Sequence, residues 1–151
     1  MYRVLCLAGL AAVSLLLASC VERKISAADQ LEAGFAQLRS TARSVVTDPA
    51  RLDTYPEHSH SLESVLRSFE RDATGFVQQL RSAFTDYDTE QDRLRNLTAE
   101  FRDRQRRAQH RFVELHLAMA RTVTPEEWQS LSKQEQAILA ALFDSTTEAL
   151  R

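Results

Sequence analysis

Turn-forming residues are scarce in this 151-residue chain, which holds three glycines and three prolines. Beyond residue 19 they reduce to Gly34, Gly75, Pro49, Pro56 and Pro125, so few turns can be placed and long helices are predicted. Cysteine is almost absent too, with Cys6 and Cys20 alone. Neither charge dominates. Of the 19 Lys plus Arg, Arg3 alone precedes Cys20, which leaves 18 against 21 Asp plus Glu, a near balance that gives no support for nucleic-acid binding. Recognisable catalytic signatures are missing: no Ser-His-Asp motif, phosphate loop, dinucleotide fingerprint or HExxH occurs in context. No enzymatic activity, cofactor or specific small-molecule ligand is expected. No internal repeat of 20 to 50 residues is present either.

What the chain does have begins at its start. Arg3 opens a short basic region, and Val4 to Ala18 is apolar except for Ser14. That run suits an export signal and is too short and wrongly flanked for a permanent transmembrane helix. It ends in Leu17-Ala18-Ser19-Cys20, small residues directly before a cysteine. This pattern resembles the lipobox of bacterial lipoproteins. The resemblance implies recognition of Leu17, Ala18 and Ser19 by signal peptidase II, cleavage before Cys20, a diacylglyceryl thioether on its sulfur and acylation (palmitate) of the new amino group. An ordinary secretory signal, leaving Cys20 free or paired, is the alternative; Cys6 is then no partner, since it lies in the removed segment. Acyl chains contribute roughly 0.8 kcal/mol per buried CH₂, and more than one is needed for stable anchoring. Val21, where Asp would retain the protein at the inner membrane, implies by the same resemblance an outer-membrane, periplasm-facing address. The expected division is residues 1–19 as signal peptide, 20–25 as lipidated tether and 26–151 as a single helical domain.

The remaining 132 residues suffice for one modest domain. Ser26 is placed to cap a first helix by accepting the Asp29 N–H, and Leu31, Phe35, Leu38, Ala42 and Val45 then form one apolar stripe. "TDPARLDTYPEHSHS" interrupts it, and Pro49 and Pro56 mark this stretch as a connector. From Ser61 a longer pattern runs through Leu62, Leu66, Phe69, Ala73, Phe76, Leu80, Ala83 and Tyr87. It resumes at Leu94, Leu97, Phe101, Ala108, Leu115 and Ala118, with Arg104 and Arg111 in the same stripe. Register continuity favours a single rod, whereas the need to bury both seams favours a hairpin turning near "FTDYDTEQ". A rod with uncovered seam predicts dimerisation. The last helix starts at "VTPEEW", where Thr124 is the N-cap, Pro125 the first helical residue and Glu127 the closing member of a capping box. Val123 and Trp128 have the spacing of a hydrophobic staple, and a buried Trp128 ring would cost roughly 2–4 kcal/mol on replacement by Ala. The fold class is therefore all-α: an elongated helical bundle or coiled-coil-like helices, with a long central helix or hairpin.

Two groups of side chains invite functional readings. Glu57, His58 and His60 bring imidazole and carboxylate donors that suit Zn or Ni into the expected connector, although no metal site is predicted; His110 and Glu114 have the spacing of a helix-surface ion pair. Arg102, Arg104, Arg106, Arg107 and Arg111 make the most basic stretch, suited to salt bridges along the helix, to a protein partner or to anionic headgroups. "ARTVTPEEWQSL" after a long amphipathic helix resembles the later half of Spy and CpxP-like periplasmic stress proteins, which are helical dimers. Their LTxxQ motifs would correspond to Leu97-Thr98-Ala99-Glu100 and to the stretch from Val123 to Glu127, both lacking the glutamine. The expectation is a non-enzymatic envelope lipoprotein, held by its lipid anchor and acting on a protein partner or a second copy through helical contacts. The alternative is a chaperone or a stress or metal sensor.

Overall fold

The computed structural model describes residues 26–85 and 91–149. The stretch expected to be an export signal, with Leu17, Ala18, Ser19 and Cys20, lies outside the described residues, as does Tyr87. Four helices make up the described chain: α1 (Ala27–Val45), α2 (Pro49–Thr85), α3 (Gln91–Thr122) and α4 (Pro125–Ala149).

Helix α1 follows its pattern closely. The Ser26 side chain accepts the Asp29 N–H at 3.1 Å, and Leu31, Phe35, Leu38 and Ala42 are buried at intervals of four, three and four. The helix stops where Val46 turns extended, its N–H still bonded to the Ala42 carbonyl at 2.9 Å.

The next segment corrects the connector expectation. Asp48 accepts the Arg51 N–H at 3.2 Å, so Pro49 is the first residue of α2, a position where a missing N–H costs nothing. The helix then continues through Pro56 to Thr85. An interior proline costs about 3 kcal/mol. It is tolerated because Tyr55, Ser59, Leu62 and Leu66 are all buried along one face, and Leu62 and Leu66 alone contribute about 1.5–3 kcal/mol each.

The single-rod expectation is also overturned. Helix α2 ends at Thr85 and α3 begins at Gln91. The two run antiparallel, with the Phe76 and Phe101 rings stacked at 4.2 Å between centroids. Pairing the seams intramolecularly removes from water the apolar surface that a rod would leave open. Spans of about 55 Å for α2 and about 48 Å for α3 follow from 37 and 32 residues.

All four helices meet in one core. Phe35, Leu38, Tyr55, Leu62, Met119 and Leu131 are its most enclosed apolar members. Neighbours alternate in direction: Glu32 pairs with Arg67 while Arg39 pairs with Glu63, and Gly34 faces Ile138 while Thr47 meets Glu127. A Cβ on Gly34 would lie 2.7 Å from Ile138 Cγ1, so glycine is what lets α1 and α4 approach here. Toward Thr85 of α2 and Gln91 of α3 the burial thins. Phe69, Phe76, Leu80, Leu94, Leu97 and Phe101 are only half-buried, Ala83 is buried, and Phe84 is 71% exposed. The outer parts of α2 and α3 form a two-helix arm on a four-helix body. The expected all-α elongated bundle is thus what the described residues form, with its core at one end.

Candidate functional site

Three polar assemblies join the body. Between α1 and α2, Arg39 donates to Glu63 Oε2 at 2.7 Å, and Arg67 donates to Glu63 Oε1 at 2.9 Å and Glu32 Oε2 at 2.8 Å. Those two carboxylates hold the Arg67 guanidinium above its ordinary range. Sequence reasoning missed this network, although Glu63 and Arg67 stand one helical turn apart.

At the opposite end, Glu127 does more than close its capping box. Its carboxylate accepts the Thr124 N–H at 2.8 Å, and its own N–H donates to Thr124 Oγ1 at 3.3 Å. It further accepts the Thr47 N–H at 3.3 Å and Arg51 Nη1 at 2.6 Å. The Thr124 N–H foremost, then the Thr47 N–H and Arg51, hold the carboxyl below its ordinary range despite partial desolvation. Pro125 opens the helix as expected. Val123 is buried and Trp128 is half-buried against the core, which lowers the cost expected on replacing its ring by Ala.

The third assembly is interior. Glu135 is 2% exposed and lies 3.0 Å from His116 Nδ1. The His116 ring packs edge-on to Trp128 at 5.3 Å and stacks on Phe112 at 5.9 Å. Tyr55 Oη and Ser59 Oγ are buried without a protein partner. Burial first, and the Glu135 charge second, push the Tyr55 phenol above its ordinary range. His116 thus caps a buried carboxylate across the α3–α4 interface, a structural role that the six-residue spacing from His110 could not reveal.

The metal candidates do not converge. His58 and His60 lie in the continuous α2 helix, about 200° apart around its axis. His60 is exposed and reaches only Glu63, at 4.0 Å. No group of three metal-ligating side chains occurs among the described residues. His110 pairs with Glu114 at 3.4 Å on the surface of α3.

The arginine stretch divides between faces. Arg104, Arg107 and Arg111 line one open groove between α2 and α3, together with Val65, Ser68, Phe69, Asp72 and Ala108. Arg102 lies on another face, with Leu94, Arg95 and Thr98, and Arg106 bonds to Asp103. Within the groove, Arg111 reaches Glu114 at 3.1 Å, while Arg104 Nη1 approaches Glu100 only to 3.9 Å. Arg104 Nε is buried without a partner. Arg107 makes no hydrogen bond or ion pair among the described residues. The candidate surface is therefore this groove and the half-buried arm seam beside it.

No family model, curated protein or solved structure matches the chain. The wider set of descriptors that the leader invites (lipoprotein, signal, palmitate, diacylglyceryl cysteine, outer membrane, periplasm) is corrected to all-helical, which is what the described residues bear out. They contain no helix long and apolar enough to cross a membrane, and none of the comparisons supplies a membrane address.

Proposed function

We propose that this chain is a non-enzymatic protein of the bacterial envelope that works by binding another protein through its helices. The observation that carries the reading is the unequal burial of α2 and α3. Their seam is closed where α1 and α4 add to it and only half-closed along the arm. The adjoining groove includes Arg107, which has no bonding partner among the described residues, beside apolar side chains. A helix that served only its own core would not need six half-buried large side chains beyond it. The envelope address rests on the leader sequence alone, through attachment at Cys20.

One experiment tests both parts. Crosslinking and mass spectrometry on native membranes, comparing the unaltered chain with Cys20→Ala, should recover crosslinks from arm residues to one recurrent protein. The same comparison should show the chain leaving the membrane fraction in the variant. Crosslinks scattered over all faces would refute the contact reading, and an unmodified thiol by intact mass would refute the anchor.

A second reading is a chaperone or stress sensor of the Spy and CpxP-like type. It is favoured by the exposed Phe84 and by the apolar groove rimmed with arginines. The protein at low molar ratio should then suppress aggregation of an unfolded client; unchanged light scattering would dismiss it.

A further inference from the structure

Resting on the protein-contact reading, we infer that the groove between α2 and α3 receives an acidic, amphipathic helix of the partner. Its carboxylates pair with Arg104, Arg107 and Arg111, and its apolar side chains cover Val65, Phe69 and Ala108.

The first argument is spacing. Arg104, Arg107 and Arg111 succeed one another at three and four residues on α3, rises of about 4.5 and 6 Å along one face. A second helix presents side chains at the same intervals, so three carboxylates at i, i+3 and i+7 meet three guanidiniums in register. A lone phosphate needs donors that converge on one point, and these are strung over about 10 Å.

The second argument is charge. The groove lining has three guanidiniums against a single carboxylate, Asp72. Arg107 is without a bonding partner among the described residues, Arg104 Nε is buried and unsatisfied, and Glu100 stays 3.9 Å away. Arg107 is exposed, so its guanidinium fork is open to an incoming carboxylate, whose geometry it matches, and the partly exposed Arg104, held by no close acceptor, adds a second cation on the same face. Arg111 already holds Glu114, so the central Arg107 and Arg104 carry most of the attraction.

The third argument is the floor. Val65 and Phe69 come from α2 and Ala108 from α3, all half-buried. The small Ala108 side chain between Arg107 and Arg111 leaves room for a helix to lie against the pair. Apolar floor and basic wall together select an amphipathic occupant rather than a uniformly charged one.

The test uses the full chain in neutral-detergent micelles and a labelled synthetic helical peptide with Glu at i, i+3 and i+7 beside a row of Leu. Its counterpart carries Gln at the three Glu positions. Fluorescence anisotropy should show the Glu peptide binding at least about tenfold more tightly than the Gln peptide, with affinity falling as salt rises. Arg104→Gln with Arg107→Gln should remove about tenfold or more. Arg102→Gln, on another face, should leave binding unchanged, and circular dichroism should show both variants folded. Equal binding of the two peptides, no binding of either, or indifference to the Arg104 and Arg107 changes would overturn the inference. So would binding only to micelles doped with anionic lipid, or self-association that the same double variant abolishes. In each of those cases a single crosslinked protein on the arm would still leave the broader contact reading standing.

Discussion

Glu127 gathers onto one carboxylate the N–H groups of Thr124 and Thr47 and the guanidinium of Arg51, so the start of α4 and the α1–α2 junction share a single acceptor. Because these donors depress its folded-state pKa, its stabilising effect is present above the unfolded carboxylate range. It is lost as pH falls through the lower, folded value. Chemical denaturation from neutral to acidic pH should show stability declining over that interval, and Glu127→Gln should flatten the decline. Thr124→Ala, which removes only the reciprocal cap, should cost about 1 kcal/mol. Trp128→Ala should cost about 1–2 kcal/mol, less than a fully buried ring, because its side chain is half-buried. Thermal denaturation of the two glycine variants gives an opposed pair of outcomes. Gly75→Ala meets nothing within 4 Å and should stabilise by up to about 1 kcal/mol through helix propensity. Gly34→Ala drives a methyl against Ile138 and should destabilise, since overpacking costs about 1–3 kcal/mol. The Thr124 and Glu127 cap was legible in the sequence because its partners are three residues apart. The links to Thr47 and Arg51 were not, since nothing local announces a partner some eighty positions away.

At the level of helices, α1 and α4 could be read directly, as their caps are short-range and their stripes are apolar apart from the buried Glu135 of α4. Helix α2 could not. Pro49 and Pro56 look alike in sequence, yet one begins a helix and the other interrupts its hydrogen bonding. Tyr55 and Ser59 continue the Leu62 and Leu66 face backward, but as polar-bearing residues between prolines and histidines they resemble loop. Replacing Pro56 by Ala restores an N–H for the Leu52 carbonyl and should raise stability, by at most about 3 kcal/mol; a loss on urea denaturation would mean that the pyrrolidine ring itself is needed in packing. The rod and the hairpin share one heptad register, so periodicity could not separate them. The arginines were visible as a basic stretch, whereas their division into two faces required knowing which side of α3 meets α2.

For the molecule as a whole, body and arm should differ in resistance to opening. Hydrogen exchange is expected to show the highest amide protection around Leu62, Leu115 and Leu131 and lower protection from residue 73 to 85 and from 91 to 104. Side-chain truncation should follow the same gradient. Leu131→Ala, at a fully enclosed site, should cost about 2–5 kcal/mol, and Leu97→Ala, on the arm, clearly less. Equal costs would show that the arm is as well supported as the body. The arm also has a mechanical consequence. From residue 73 to Thr85 it measures about 18 Å, with the arginine groove at its root. A tilt of about 10° at that root sweeps the far end through roughly 3 Å by the geometry of a helix of that length. An occupant beside Arg107 would sit at the root of the arm, with the exposed Phe84 at its far end.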